Sequence, residues 1–156
     1  MTANGASGRV ALLDVSLLVA LFSPDHLHHE VAHDWFANQR GHGWATCPLT
    51  ENGFVRIMSN PKLSPHSERP AALRDRLATF CHSGHHVFWP DAISLRDDRL
   101  FQKPLPIGFQ QITDIYLLAL ACQQGGCLAT LDQRIPLSVV IGATPANLQV
   151  VAPLHD

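Results

Sequence analysis

Short apolar runs alternate with amphipathic stretches along the chain, and polar, glycine or proline residues separate them. The apolar runs predict buried strands, and apolar residues at helical spacing predict helices. Predicted strands cover residues 10–13, 44–47, 87–89, 127–131 and 148–151. Predicted helices cover the run after Ser16 and about residues 27–38, 50–59, 71–81 and 112–123, with a further short helix within 94–106. This alternation predicts an α/β domain around a central parallel sheet of about five strands flanked by helices.

The composition favours one folded domain. The chain has 156 residues, 46% of them apolar and 15% charged, which suffices for a hydrophobic core. Residues 1–8 are small and polar, so we expect a flexible leader there and a single domain at 9–156. The net charge of −2 gives no overall field that attracts nucleic acid. Any contact with nucleic acid would therefore depend on a local basic patch or a bound metal ion.

The cysteines and the apolar segments predict the cellular setting. The four cysteines form no C-x-x-C pair, which argues against a zinc ribbon and favours reduced thiols in the cytoplasm. The apolar stretch 10–22 is too short to span a bilayer, and Asp14 interrupts it as a signal-peptide core. We therefore expect a cytoplasmic protein with no membrane segment.

Two aspartates stand in strongly apolar surroundings. Asp14 lies between a predicted buried strand and the apolar run that follows it, and Asp114 begins a helix that is apolar nearly all round. Burying an unpaired carboxylate costs several kcal/mol, so each needs hydrogen bonds, a cation or a metal ion as a partner. Capping of the following helix, worth about 1 kcal/mol, explains either residue equally well, and both explanations stay open.

Two further acids are expected at the same edge of the sheet. Asp132 follows the strand at 127–131, and Glu51 opens the helix after the second strand. Ligands of parallel α/β sheets bind beyond the carboxyl ends of the strands. Asp114 joins this edge if its helix packs beside the first strand. Four like charges there would repel one another, and a hard divalent cation, Mg²⁺ or Mn²⁺, would relieve the repulsion through oxygen ligands.

Six motifs occur in a fixed order along the chain. They are L-L-D-V-S-L-L-V-A-L at 12–21, H-x-x-A-x-x-W-F at 29–36, W-A-T-C-P-L-T-E-N-G-F-V-R at 44–56, F-W-P-D at 88–91, I-T-D-x-Y-L-L-A-L-A at 112–121 and L-A-T-L-D at 128–132. The ordered series resembles the PIN-domain ribonucleases. More specifically, it resembles the VapC-type toxins of bacterial toxin–antitoxin pairs, and its motif sequences are most similar to those of actinobacterial members.

The resemblance implies a PIN-domain fold and a Mg²⁺-dependent endoribonuclease that acts as a toxin. The acidic quartet of that family falls on Asp14, Glu51, Asp114 and Asp132. By resemblance, Asp14 and Asp114 would hold Mg²⁺, or Mn²⁺ in its place. Glu51 and Asp132 would complete the shell through waters or bind a second ion. The metal would lower the pKa of a bound water and stabilise charge on the scissile phosphate.

The same resemblance implies partners. These are RNA as substrate, a small antitoxin whose C-terminal segment covers the acidic groove, and a second copy of the chain in a homodimer. The sequence alone does not distinguish RNA from single-stranded DNA. Candidate substrate contacts are Arg56 and Lys62, which belong to a basic segment over 56–76, and Ser16, which stands where many relatives carry asparagine. An ordinary solvated surface also explains the basic segment.

Two alternatives to a nuclease stay open. His29-Glu30-x-x-His33 matches the H-E-x-x-H motif of zinc peptidases. The extended form of that motif needs glycine and histidine where this chain has Phe36 and Gln39, so surface histidines are the simpler hypothesis. A second histidine group, at positions 82, 85 and 86, is expected to lie in a loop, with the binding of adventitious metal left open. The other alternative is a catalytically inactive PIN-like binding module, which divalent-ion binding would distinguish.

Overall fold

Five short strands form the centre of the molecule. The structure, a computed structural model, describes residues 8–152, so the predicted leader lies outside the described residues except for Gly8. The strands are β1 (Ala11–Leu13), β2 (Trp44–Thr46), β3 (His86–Phe88), β4 (Cys127–Thr130) and β5 (Leu148–Val150). Their order across the sheet is β3-β2-β1-β4-β5, and every neighbouring pair is parallel. The predicted α/β domain with a five-stranded parallel sheet is confirmed.

Helices cover both faces of this sheet. They are α1 (Val15–Phe22), α2 (His29–Gln39), α3 (Pro48–Met58), α4 (Pro70–Cys81) and α5 (Ile112–Gln123), with single 3₁₀ turns at Arg40–His42, Phe109–Gln111, Leu137–Val139 and Pro145–Asn147. The predicted bounds of the long helices differ from these by about two residues or fewer, the margin within which helix ends fray. Over residues 8–152, no helix has the length and apolar character needed to cross a bilayer.

The short helix predicted within residues 94–106 is wrong. This segment forms turns and one antiparallel bridge, between Phe101 and Val140. The Asp97 carboxylate accepts a hydrogen bond from the Arg99 backbone amide at 2.9 Å. Such local side-chain bonds to the backbone compete with helix formation. Two prolines near the end of the segment also lack the backbone donors that a helix needs.

Strand β1 is buried on both of its faces. Ala11 and Leu13 pack with Trp35 and the other apolar side chains under α1–α4. Leu12 points to the opposite face and packs with Ile115 and the rest of the apolar face of α5. Alternate residues of a strand face opposite sides of a sheet, so this three-residue strand ties the two halves of the core together. Asp14 therefore follows a strand that is buried along its whole length.

The strand order places a topological switch point between β1 and β4. From β1 the chain continues to β2 and β3 on one side, and then crosses to β4 and β5 on the other. Open parallel sheets bind ligands in the crevice beyond the carboxyl ends of the strands at such a point. Asp14 directly follows β1, and Asp132 lies two residues after β4. The fold thus brings these two acids to the two sides of one crevice.

Candidate active site

Asp14 is a buried carboxylate at the carboxyl end of β1. Its Oδ1 accepts hydrogen bonds from the Leu17 amide at 2.8 Å and from the Ser16 hydroxyl at 2.9 Å. Its Oδ2 accepts a hydrogen bond from the Thr130 hydroxyl at the end of β4. Burial raises the pKa of Asp14, and these three donors offset part of the rise. Asp14 is thus both the N-cap of α1 and a carboxylate fixed across two strands.

Asp114 and Asp132 bring two more carboxyl groups to the same place. Asp114 lies in the first turn of α5. Burial raises the pKa of Asp114 to about 6, and the charges of Asp14 and Asp132, with a hydrogen bond to Asp132, act in the same direction. Asp114 therefore gains or loses its proton close to neutral pH, and a nearby positive charge would favour its ionised form.

These three acids line one cavity of about 690 Å³ beyond the carboxyl ends of β1 and β4. The cavity combines carboxyl groups, two hydroxyls, one amide, one guanidinium and several apolar side chains. Its lining residues are Asp14, Val15, Ser16, Ile57, Thr113, Asp114, Leu117, Leu131, Asp132, Gln133 and Arg134. A cavity of this size at a switch point is the usual location of a binding site in an α/β fold.

The donor set of the cavity fits a hard divalent cation. Its three carboxyl groups come from three different elements and offer the oxygen ligands that Mg²⁺ and Mn²⁺ prefer. Their mutual repulsion contributes to the raised pKa of Asp114, and a cation would relieve it. Over residues 8–152, the oxygens of these three acids do not all lie within 4.8 Å of one another. One ion could thus contact all three directly only after a side chain rotates.

Glu51 lies apart from this cavity. It is in the first turn of α3, as expected, but its Oε2 accepts a hydrogen bond from the Thr46 hydroxyl at 2.6 Å. Cys81 and His86 lie beside it, at the end of α4 and the start of β3. The structure therefore brings together three of the four acids that the sequence placed on one rim. The hydrogen bond to Thr46 holds the carboxylate of Glu51, the fourth acid, toward β3.

Of the predicted substrate contacts, only Ser16 lines the acidic cavity. Ser16 lines the cavity, and its hydroxyl donates to Asp14, which is the orienting role expected of it. Arg56 is exposed in the last turn of α3, next to Ile57, which lines the cavity. Lys62 is exposed in the turn that follows α3, and its side chain does not line the cavity. Of the two basic residues, Arg56 is adjacent to a lining residue.

Two residues of the site were missed by the sequence analysis. Thr130 is fully buried, donates to Asp14 and accepts a hydrogen bond from the Asp132 amide at 3.0 Å. Arg134 lines the cavity, and its backbone amide donates to Asp132 Oδ1 at 2.8 Å. The guanidinium of Arg134 lies 3.6 Å from the same oxygen. The polar residues of T-L-D-Q-R at 130–134, directly after a buried strand, were the available signal.

The H-E-x-x-H histidines have a structural role. His29 Nδ1 lies 2.7 Å from the carbonyl oxygen of Ala20, and His33 Nε2 lies 2.9 Å from that of Leu21. Both carbonyls belong to the last turn of α1, where backbone oxygens have no partner within the helix. The two rings also stack edge to face, with centroids 4.4 Å apart. In the described part of the chain, no third ligand completes a metal site with them.

The chain is similar to several ribonucleases of Mycobacterium tuberculosis. It is 43% identical to ribonuclease VapC44 of strain H37Rv over 139 residues, which cover 88% of this chain and 96% of that protein. It is 46% identical to ribonuclease VapC38 over 126 residues, covering 81% and 87% of the two chains. It is 39% identical to ribonuclease VapC39 over 132 residues, covering 85% and 95%. No family model matches the chain.

Proposed function

The chain belongs to the VapC family of PIN-domain ribonucleases, and from this premise we propose that it is a Mg²⁺-dependent endoribonuclease, the toxin of a toxin–antitoxin pair. The proposed metal centre consists of Asp14, Asp114 and Asp132. Mn²⁺ is expected to substitute for Mg²⁺, since both prefer carboxylate oxygens. Glu51 is left out of this centre because its carboxylate is bound to Thr46 and does not line the cavity.

One observation carries the proposal. Three carboxyl groups from the ends of β1 and β4 and the start of α5 line a single cavity at the switch point of the sheet. A helix cap accounts for Asp14 alone, but it does not account for three acids together, since each raises the energy of the others. A divalent cation is the simplest partner that makes all three favourable.

Each acid has a distinct role in this proposal. Asp14 is held by three donors, and a carboxylate has lone pairs left after those bonds, so it offers a ligand oxygen in a fixed orientation. Asp114, with a pKa of about 6, would be an ionised ligand at neutral pH, and the ion would relieve its repulsion with the other two acids. Asp132 is held by the Arg134 amide and completes the shell directly or through a water. When bound, the ion stabilises negative charge on the scissile phosphate and provides a nucleophile at neutral pH.

Two arginines are proposed to hold the RNA backbone. The Arg134 guanidinium lies at the cavity beside Asp132 and would contact a phosphate next to the scissile one. Arg56 is exposed on the neighbouring turn of α3 and would contact a phosphate further along the strand. Lys62 is proposed to contact a further phosphate of the same RNA strand. Phosphate contacts of this kind position the substrate without reading its bases.

The proposal includes protein partners. A small antitoxin is expected to cover the acidic cavity, and a homodimer is the expected assembly. Membership of the family supports both expectations, and the cytoplasm is the proposed place of action. Testing single-stranded DNA beside RNA in the cleavage assay below shows which of the two nucleic acids is the substrate.

The decisive experiment is a cleavage assay with purified protein free of antitoxin. A pool of structured RNAs and a matched pool of single-stranded DNA would be incubated with Mg²⁺, Mn²⁺ or EDTA. We expect RNA cleavage with either ion, none with EDTA, and a loss of at least about 100-fold for Asp14→Asn and Asp114→Asn. This is the scale on which removing an electrostatic stabiliser of a transition state acts.

Asp98→Asn is the matched control. Asp98 is exposed and pairs with Lys103 at 3.4 Å, so its removal changes the net charge without touching the cavity. That variant should cleave at the wild-type rate. If the wild type cleaves neither pool with any ion and binds no Mn²⁺, the nuclease proposal is wrong, and the chain acts as a binding module.

A further inference from the structure

A second group of metal-ligating side chains lies outside the acidic cavity. Glu51 in the first turn of α3, Cys81 at the end of α4 and His86 at the start of β3 each present one ligand atom. These three atoms all lie within 4.8 Å of one another. In the part of the chain that the structure describes, this is the one group of three or more such side chains this close together.

A buried hydroxyl orients two members of this group. The Thr46 hydroxyl donates to Glu51 Oε2 at 2.6 Å, so the 2.8 Å contact with His86 Nε2 is a bond donated by the ring N–H to the Thr46 oxygen. Thr46 is fully buried in β2, so its position is fixed by the sheet. Metal-binding side chains are commonly held in place by a second hydrogen bond of this kind. Glu51 and His86 are thus oriented before any ion arrives.

The donor set differs from that of the acidic cavity. It offers a thiol sulfur, an imidazole nitrogen and a carboxylate oxygen, the combination that Zn²⁺ and Co²⁺ accept in tetrahedral sites. Mg²⁺ does not favour sulfur or imidazole ligands. All three side chains are half-buried, so an ion could reach them from solvent. A thiolate ligand would distinguish an ion bound here from one bound by the three aspartates.

In the absence of an ion, burial keeps two of these side chains uncharged. Burial raises the pKa of the Cys81 thiol to about 11, and the nearby Glu51 charge adds to the rise. Burial lowers the pKa of His86, which keeps its imidazole neutral and able to donate a lone pair. A thiol beside a carboxylate favours its protonated form, and a bound divalent cation reverses that preference.

We propose that Glu51, Cys81 and His86 form a second metal site, which binds a Zn²⁺-class ion and ties the end of α4 to α3 and β3. This proposal goes beyond the nuclease activity and does not depend on it. It also gives Glu51 a role consistent with its position, away from Asp14, Asp114 and Asp132.

The test is Co²⁺ binding followed by absorption, with Mg²⁺ present to occupy the acidic cavity. We expect Co²⁺ to give a near-ultraviolet thiolate-to-metal band that saturates, and Zn²⁺ to remove that band. Cys81→Ser should abolish the band, and His86→Ala should weaken binding by more than the about 10- to 100-fold typical of losing a supporting group. Cys122→Ser is the matched control, since Cys122 is also a half-buried thiol but lies on α5.

A second measurement covers the case in which Cys81→Ser does not fold. Wild-type protein would be treated with a thiol-alkylating reagent, with and without Zn²⁺, and the modified peptides identified by mass spectrometry. Zn²⁺ should protect Cys81 and leave Cys122 as reactive as before. The proposal is overturned if no thiolate band forms, if Cys122→Ser removes the band, or if Zn²⁺ protects neither thiol.

Asp14→Asn separates this site from the nuclease centre. That variant should lose RNA cleavage and keep the Co²⁺ band, because Asp14 is not among the proposed Zn²⁺ ligands. If the wild-type protein shows the Co²⁺ band but cleaves no RNA, only the nuclease proposal is contradicted. If the wild-type protein cleaves RNA but shows no Co²⁺ band, only the second metal site is contradicted.

Discussion

The hydroxyl of Thr130 donates a hydrogen bond to Oδ2 of Asp14, 116 residues earlier in the chain. This bond joins the ends of the adjacent strands β4 and β1 directly below the acidic cavity. Both residues are buried, so leaving the carboxylate oxygen without this donor is costly. Thr130 thus supplies one of the three hydrogen bonds that orient the Asp14 carboxylate.

Thr130→Val should therefore affect both stability and ion binding. The substitution keeps the shape of the side chain but removes the donor, and leaving a buried acceptor unpaired costs about 1–3 kcal/mol. We expect the free energy of unfolding to fall by that amount and the affinity for Mn²⁺ to fall as well. Denaturant unfolding and calorimetric Mn²⁺ titration would measure the two effects. Thr79→Val, at an exposed position of α4, should change neither quantity.

The pKa of Asp114 gives a signed pH dependence. Its pKa in the folded protein, about 6, exceeds its ordinary value of 3.8. Below the ordinary value both states hold the proton, and as pH rises through about 6 the folded state is left with an unfavourable charge. In EDTA, the free energy of unfolding should therefore fall as pH rises through this window. Mn²⁺ should reverse the fall, and its affinity should drop below about pH 6 because protons compete for Asp114.

Asp114→Asn tests the same idea from the other side. In EDTA at neutral pH this variant should be more stable than the wild type, since the amide carries no charge beside Asp14 and Asp132. Mn²⁺ should stabilise it far less than it stabilises the wild type. Thermal unfolding with and without the ion would show both effects. A variant that is less stable than the wild type in EDTA would contradict the electrostatic account of the site.

Arg134 is expected to bind substrate. Arg134→Ala should raise the KM for RNA by about tenfold, the scale of one lost charge-assisted bond of about 1.5 kcal/mol, and should reduce the salt dependence of binding. Mn²⁺ affinity should stay within a few-fold of wild type, because Arg134 is not a ligand. Arg99→Ala is the control, since Arg99 pairs with Asp97 and does not line the cavity. Equal effects of the two substitutions on KM would argue against a specific contact.

The histidine pair on α2 is expected to stabilise the fold without taking part in catalysis. His29→Ala removes a bond to a carbonyl oxygen at the end of α1 and should lower the free energy of unfolding by about 0.5–1.5 kcal/mol. RNA cleavage per folded molecule should be unchanged. His42→Ala, at an exposed position after α2, should leave stability unchanged. Zn²⁺-dependent peptide hydrolysis that His29→Ala abolishes would revive the peptidase hypothesis.

Gly126 is required by close packing at the start of β4. A Cβ at this position would lie 2.7 Å from Cη2 of Trp89 and would also meet the carbonyl oxygen of Val10. Because a backbone atom cannot move aside easily, Gly126→Ala should lower the free energy of unfolding by about 1–3 kcal/mol. Gly108→Ala should be close to neutral, since no atom lies within 4 Å of its added Cβ. Urea unfolding of the two variants provides the comparison.

Much of the fold follows from local patterns in the sequence. The apolar run ending at Asp14 and the apolar helix beginning at Asp114 each predict their element and its burial, because helix and strand periodicities are properties of consecutive residues. The same patterns place Asp14 and Asp132 at the carboxyl ends of their strands, whereas the position of Asp114 at that edge depended on how its helix packs. The turn around Asp97 escaped this logic, because a single side-chain bond to the backbone outweighed a weak helical pattern.

The direction of side chains at that edge needed the tertiary structure. The sequence places Glu51 at the start of a helix beside the sheet, and it does lie there. Its carboxylate nevertheless turns away from Asp14, because the Thr46 hydroxyl binds it. Thr46 and His86 lie on neighbouring strands whose pairing is set by the whole sheet, not by nearby residues.

The sequence by itself determined an α/β domain with a parallel sheet of about five strands, and it placed Asp14 and Asp132 at the ends of two of them. Only the tertiary structure decided which side chains share a site. It joined Thr130 to Asp14, gathered Glu51 with Cys81 and His86, and assigned His29 to the end of α1. The physical reason is that element type depends on short-range periodicity, whereas ligand sets and hydrogen-bond partners depend on contacts between residues far apart in the chain.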